Sequence, residues 1–211
     1  MKNTLSLITF TTLLALSPWS GAFAAESADK AQAARAKMEA TRAEIAKIRN
    51  QVGLTLEELN RMQKENVEIR DQFQKYAAEL AKMEEQAQVA RNRVVSMEEK
   101  GQAFFKAWEE QIQTIMNDEV RTLAEKRYAK RVKSYNKIVT AMREGRDRLV
   151  PFLSDLNDVK KLLDSELSRE SVKSAKNLIK RANWHGEDVV ESLKDVETEL
   201  DLVSAELAKY K

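Results

Sequence analysis

The residues that could do chemistry are few, and their spacing matches no familiar catalytic or metal-binding pattern. His185 is the only histidine, and the chain has no cysteine. A zinc protease carries two histidines and a glutamate on one helix, and a hydrolase pairs a histidine with an activated serine or cysteine. Neither arrangement occurs around His185. We predict that His185 faces solvent or caps the backbone near Gly186, and that the protein is not an enzyme.

Carboxylate pairs and glycine-rich loops give no better candidates. Glu84-Glu85 and Glu109-Glu110 stand among lysines and arginines in helical sequence, which is typical of solvated helix faces. The five glycines are too scattered to build a phosphate-binding loop. We therefore predict no catalytic residues, no metal site and no cofactor.

A basic stretch between residues 121 and 148 is the first candidate for binding. It holds ten lysines and arginines, interleaved with Tyr128 and Tyr135. Such a stretch can bind nucleic acid or anionic lipid. Residues 187 to 206, however, carry eight acidic side chains against one lysine, and would neutralise it if the two segments pack together. We favour this neutralisation and expect no nucleic-acid partner; the alternative is an anionic-surface patch at Lys130, Arg131 and Lys137.

Three aromatic residues close together form the second candidate. Phe104 and Trp108 lie one helical turn apart on the expected core face, and Phe105 lies beside that face. Packing in the core near a turn is the favoured interpretation. If Phe105 is exposed, the cluster is instead a patch for a partner protein.

A long hydrophobic seam must position these residues. Between residues 59 and 115, apolar side chains recur every three or four positions, interrupted only by Asn66, Gly101 and Gln111. A seven-residue period keeps one stripe of a helix facing its partner when the helices supercoil. With a third of all residues charged and only two prolines, the composition is also that of long helices.

Turn signals divide the remainder of the chain. Gly53 predicts the end of an Ala-rich helix within residues 25–54, and Thr55 with Glu58 forms a capping-box pattern that predicts a new start at residue 56. Asp118 and Ser168 are the expected caps of two further helices. The predicted helices cover about 56–116, 118–166 and 168–210.

The short connections predict that neighbouring helices are antiparallel. We expect an all-α fold, an antiparallel three-helix coiled-coil bundle over residues 55–211 with an additional N-terminal helix, either docked or mobile. Pro151 predicts a kink or break, and Gly186 a bend. The second segment should outrun the returning third, which leaves an interaction patch at its start. That patch, together with the aromatic candidate, comprises Leu59, Met62, Ile69 and Phe105.

The first 24 residues are typical of a cleavable secretory signal. Lys2 precedes an apolar core of about a dozen residues, and Ala22-Phe23-Ala24 fits the small-x-small rule for cleavage between Ala24 and Ala25. No later stretch is long and apolar enough to span a bilayer, and no cysteine is present for lipid attachment. We predict export to the periplasm, with secretion beyond the cell as the lesser alternative.

Several stretches resemble an uncharacterised bacterial family, that of domain of unknown function 2959. The resemblance covers about residues 55 to 207, and its most specific part is FFKAWEE at 104–110 followed by NDEVR at 117–121. The remaining matching stretches lie at 128–135, 141–143 and 149–153 and in the closing helix. Members look like exported helical proteins, many of them lipoproteins, so the missing cysteine is a departure. The resemblance implies a fold and a compartment but no activity or site residues.

The leading hypothesis is a non-enzymatic periplasmic coiled-coil protein that acts by protein–protein interaction in the cell envelope. One alternative is a holdase chaperone whose overhang and first helix line an apolar cavity, in an oligomer of the chain. Another is a protein that binds or senses a membrane surface as a peripheral contact. Self-association and an unidentified envelope protein both remain open as partners.

Overall fold

Residues 28–208 are described by the computed structural model, and they form four long helices and one short one. Helix α1 spans Ala28–Arg61, α2 spans Ile69–Gln113, α3 spans Asp118–Ser165, α4 spans Arg169–Ser174 and α5 spans Lys176–Leu207. These residues contain no β-strand. The all-α helical-bundle fold class is therefore confirmed. The predicted signal, with its cleavage point between Ala24 and Ala25, lies outside the described residues.

The four long helices form a closed ring. Helix α1 packs against α2 and α5, and α3 packs against the same two helices, so that α2 and α5 lie across the bundle from each other. The N-terminal helix is thus docked. It buries Met38, Ile45, Val52 and Leu59 in the common core. This docking settles the question that the weak Ala-rich stripe left open.

The first helix boundary differs from the prediction. Helix α1 continues through Gly53, and the Thr55 hydroxyl donates a hydrogen bond within the helix to the Gln51 carbonyl at 2.8 Å instead of capping a new helix. A glycine inside a helix costs only about 1 kcal/mol. Continuing the helix buries Leu59 and leads Met62 into the core, which is worth roughly 1.5–3 kcal/mol for each side chain. Burial therefore overrides the local stop signal.

The turn between α1 and α2 instead occupies residues 62–68, so the seam that we read as one helix is shared between two. The Glu68 carboxylate caps α2 by accepting a hydrogen bond from the Asp71 backbone N–H at 2.8 Å. Arg169, at the start of α4, donates to the backbone carbonyls of Lys64, Glu65 and Val67. One guanidinium thus satisfies three carbonyls that no helix pairs.

The later boundaries lie close to the predicted ones. Asn117, rather than Asp118, caps α3, and its side chain accepts from the Val120 N–H at 3.0 Å. Ser168 caps α4 as predicted, and the last segment is divided at Ala175 into α4 and α5. The helices continue through Pro151 and Gly186.

Polar side chains fix the register at three of the four interfaces of the ring. Gln51 on α1 donates to the Glu79 carboxylate on α2 at 2.7 Å. Asn60 on α1 and Asn183 on α5 exchange two hydrogen bonds of 2.7 and 2.9 Å. Tyr76 on α2 donates to the Leu156 carbonyl of α3 at 2.6 Å. Each bond joins atoms that only one register brings together.

Helices α2 and α3 are longer than the other two, and their connected ends project from the bundle. Glu206, almost the last residue of α5, pairs with Lys130 of α3 at 3.2 Å. Helices α1 and α2 are antiparallel, and Gln51 contacts Glu79. The first described residue of α1, Ala28, therefore lies beside about residue 102 of α2. Among residues 28–208, those at 106–130, which we call the hairpin end, therefore form a two-helix projection. Ile112 is its only fully buried residue.

Candidate interaction surface

The predicted anionic-surface patch faces the acidic helix of the same chain. Lys130 and Arg131 both lie beside the Glu206 carboxylate, at 3.2 and 3.9 Å, and Lys137 lies 3.8 Å from Glu199. Arg131 is buried rather than exposed. These three contacts agree with the favoured interpretation, neutralisation within the chain. Lipid binding at these three residues would compete with the ion pairs to α5.

An open groove of about 840 Å³ runs between α3 and α5 beside these ion pairs. Its lining combines the apolar Tyr128 and Val132 with side chains of both charges, including Lys133 and Asp195. Mixed charge of this kind creates no strong single-sign field for an ionic ligand. The groove is consequently a weaker candidate for a binding site than an exposed apolar surface would be.

The aromatic cluster is part of the core, but the residue that is most deeply buried is not one of the two that were predicted. Phe105 is only 6 % exposed, whereas Phe104 and Trp108 are partly buried. The Phe105 ring packs against Tyr135 and Tyr128 of α3, with ring centroids 5.0 and 6.0 Å apart. Phe105 follows Gly101 by four residues, so both lie on the face of α2 that meets α3. Phe105 therefore offers no exposed patch.

The predicted patch at the start of the seam is also internal. Leu59 and Met62 have no exposed surface, and Ile69 is half-buried against the core. The reason is the turn at residues 62–68, which returns the chain here and lets α2 and α5 cover α1. The overhang that we expected at this end of the seam lies instead at the opposite end of α2.

A charged cluster around the buried Asp155, which the sequence pattern did not indicate, joins α3 to α5. The Asp155 carboxylate is 4 % exposed and accepts hydrogen bonds from His185 Nδ1 and Arg181 Nε, both at 2.7 Å. Burial alone would raise the pKa of Asp155, but the hydrogen bonds from Arg181 and His185 hold that pKa below its ordinary value. His185 is thus a partner of a buried carboxylate, not a solvent-facing residue.

The chemistry of this cluster is that of a clamp between helices. No group of three or more metal-ligating side chains occurs within residues 28–208. The carboxylate is shared between an imidazole and a guanidinium, which fixes it as an acceptor from two donors on α5. The sequence carries one signal for this cluster: Asp155 is a charged residue directly before Leu156, which the hydrophobic seam places in the core.

Exposed apolar side chains are concentrated at the hairpin end. Met116 is 93 % exposed, Val120 51 % and Leu123 57 %. Val120 and Leu123 lie about one helical turn apart at the start of α3, and Met116 lies in the loop just before that helix. Other large exposed apolar residues, such as Leu54, occur singly along the bundle, which is normal for a protein surface.

No helix within residues 28–208 is long and apolar enough to cross a membrane. Fold and surface together define a helical bundle with a projecting hairpin end that exposes Met116, Val120 and Leu123. The chain belongs to the family described as protein of unknown function DUF2959, whose family model matches residues 26–205. This confirms the predicted family. Comparison with curated proteins found no match, and comparison with solved structures found none either.

Proposed function

We propose that this protein acts without catalysis in the periplasm, where it binds a protein partner in the cell envelope. The hairpin end is the binding surface. The single observation that carries the proposal is the exposure of Met116, Val120 and Leu123 on a projecting two-helix element. Exposed apolar clusters of this kind mark interaction sites more often than isolated apolar residues do.

The surroundings of the hairpin end support a rigid presentation. Phe105, Trp108 and Tyr128 pack together at its base, with centroids of Trp108 and Tyr128 5.6 Å apart. A rigid element loses little conformational freedom when a partner binds. The compartment rests on the signal-like pattern of the first 24 residues, with Lys2, the apolar core and Ala22-Phe23-Ala24.

The two alternatives draw less support from the packing. The holdase hypothesis needs α1 to line an apolar cavity, whereas Met38, Ile45 and Val52 of α1 pack into the shared core. The membrane-surface hypothesis needs a free basic patch, whereas Lys130 and Lys137 lie beside acidic residues of α5. A protein partner at the hairpin end requires no rearrangement of either kind.

Affinity isolation from the envelope fraction tests the proposal. The triple variant Met116→Ser, Val120→Ser and Leu123→Ser removes the apolar surface without touching the core. Leu202→Ser is the matched control, because Leu202 is 53 % exposed on α5 far from the turn. We expect the triple variant to lose proteins that wild type and control both retain. Retention of the same proteins by all three, or recovery of the chain from the cytosol, would contradict the proposal.

A further inference from the structure

We propose that the partner of the hairpin end is an amphipathic helix with an acidic flank, which continues the position of α5 along α3. This inference rests on the proposed function and specifies the chemistry of its partner. It starts from the place where two helices of the ring end. Helices α1 and α5 pack against each other and therefore lie on the same side of the α2–α3 pair. Among residues 28–208, neither of them accompanies α2 and α3 to the tip of the hairpin end.

The side of α2 that α1 leaves uncovered is aromatic. Arg93 pairs with Glu44 of α1, and Phe104 and Trp108 follow Arg93 by 11 and 15 residues. At roughly 100° per residue, both lie within about 60° of Arg93 around the helix. Both are only partly buried. The face of α2 that meets α1 inside the ring thus continues into the hairpin end with two large rings that no helix covers completely.

The corresponding side of α3 is aliphatic. Lys130 contacts Glu206 of α5, and Leu123 lies seven residues earlier, two helical turns along the same face. Val120 lies about five whole turns before the fully buried Ile138, which places it on the core side of α3. We call the surface made by Phe104, Trp108, Val120 and Leu123 the trough. It continues the core of the ring past the ends of α1 and α5, so a further helix can pack there as those two do.

Charge on the rim of the trough specifies the flank of that helix. Lys137 and Lys130 of α3 contact glutamates of α5 at 3.8 and 3.2 Å. Lys126 is exposed and lies one turn before Lys130 on the same face, but α5 ends one residue after Glu206. An acidic residue of a partner helix beside Lys126 would extend the row of ion pairs. Among residues 118–130, Glu119 is the one acidic residue on this face, two turns nearer the tip.

The glutamates of α2 at this level lie away from the trough. Glu98 pairs with Arg143 of α3, about 140° around α2 from the residues that meet α1. Glu109 follows Glu98 by 11 residues, about three turns, and so lies on that same outer edge. Glu110 is exposed beside it. The charges at this level are therefore separated around the hairpin end, with the basic ones on the rim of the trough.

The length of the trough sets the strength of binding. Helix α3 runs for about 15 Å between Val120 and Lys130, given its rise of 1.5 Å per residue. A helix of about three turns covers this length, and the interface is small compared with the standard one of about 800 Å² per partner. We therefore expect a dissociation constant on the order of 100 µM that increases with ionic strength, because salt screens the rim.

A peptide with the sequence of residues 187–207 is the probe, because α5 has the apolar stripe and the acidic flank that the proposal requires. The protein is the chain after removal of the leader, residues 25–211, with Trp184→Phe. Trp108 is then its only tryptophan. We expect the peptide to shift the emission of Trp108 to shorter wavelengths, since it covers the indole. In the matched control Trp108→Phe, which keeps Trp184, the emission should not shift.

Two lysines at one level of the hairpin end separate the trough from general charge. Phe105 packs against Tyr128, so Lys106 and Lys126 lie near each other along the bundle, but Lys106 is about 140° around α2 from Arg93. We expect K126E to weaken peptide binding about fivefold and K106E less than about twofold. The peptide variant D188K/E199K/E206K, changed at the three acidic residues that contact α3, should bind K126E more tightly than it binds wild type.

Three results would overturn the proposal. The first is no binding of the peptide up to roughly 1 mM. The second is equal weakening by K126E and K106E. The third is a shift of Trp108 emission when the protein alone is concentrated, or when it is mixed with phosphatidylcholine vesicles, which would assign the trough to a second copy or to a membrane surface.

Affinity isolation from the envelope fraction separates this inference from the proposed function. Loss of the same envelope proteins from K126E, but not from K106E, supports an acidic helix as the partner. If both variants retain the proteins that are lost on changing Met116, Val120 and Leu123, the proposed function stands and the acidic helix is overturned. If changing those three residues loses nothing, the proposed function itself fails.

Discussion

Gly101 and Tyr135 show how a single residue fixes the contact between α2 and α3. The Tyr135 hydroxyl donates to the Met97 carbonyl at 3.0 Å, and its ring lies where a side chain at position 101 would begin. Burial raises the pKa of Tyr135, which extends the pH range over which its hydroxyl is a donor above that of an exposed tyrosine. In the sequence, Gly101 is only a gap in the seam. Its use by a tyrosine 34 positions later could not be predicted without the register.

Gly101→Ala tests this close approach. Its Cβ would overlap the Tyr135 hydroxyl and ring, and we expect a loss of about 1–3 kcal/mol in the free energy of unfolding. Gly53→Ala is the matched control, since among the described residues no side chain or other helix, apart from the two chain neighbours of Gly53, lies within 4 Å of the added Cβ, and alanine is the better helix former. This change should stabilise the protein by up to about 1 kcal/mol. Urea denaturation measures both; equal effects would contradict the account.

Asp155 gives the protein a defined acid sensitivity. Its pKa is lower in the folded than in the unfolded chain, so the unfolded chain takes up this proton first as the pH falls. The stabilisation is complete above about pH 4, the ordinary range of an aspartate, and is lost as the pH falls through the folded pKa. Because the pKa of Asp155 is lowered by folding, the protein loses stability as the pH falls.

Asp155→Asn should therefore destabilise the protein by about 2–3 kcal/mol at pH 7, because Arg181 and His185 lose a charged acceptor. The difference from wild type should shrink as the pH falls below about 4. Thermal unfolding across a pH series measures it. Asp164→Asn, which removes an exposed partner of Lys160, is the control and should change stability by less than about 1 kcal/mol. A difference that is constant with pH would contradict the clamp.

At the scale of elements, tertiary contacts decide which turn signals are used. Ser168 caps its helix as predicted, and Asn117 caps α3 one residue from the predicted position. Gly53 and Thr55 are as strong locally, yet they lie inside α1, because the core extends to Met62. Local patterns therefore give the candidate boundaries. Which of these boundaries is used depends on how the four helices pack, and local sequence patterns do not contain that information.

Arg169 is the tertiary contact that holds the α1–α2 turn. Arg169→Ala should free the carbonyls of Lys64, Glu65 and Val67 and lower the free energy of unfolding by about 1–2 kcal/mol. Hydrogen exchange in residues 62–68 should accelerate by about tenfold, because the turn then opens locally. Lys173→Ala, an exposed change on the same short helix, should leave exchange there unaltered. Unchanged exchange in Arg169→Ala would contradict this role.

At the scale of the whole molecule, the two ends of the bundle differ in kind. One end is closed by the turns at residues 62–68 and around Ser168, with Leu59 and Met62 sealed inside. At the other end, the part of the chain that the structure describes narrows from four helices to two and exposes Met116. The sequence predicted helices, an overhang and internal charge neutralisation. It placed the overhang at the wrong end of α2, because the first turn lay about ten residues later than its local signals indicated.

The proposed function requires that the hairpin end binds a protein in the cell. Its most direct test is a photo-crosslinking amino acid placed at Met116 in living cells, with the same group at Leu202 as the control. We expect discrete protein adducts from position 116 that are absent or much weaker at position 202. Adducts at position 116 no stronger than those at position 202 would contradict it.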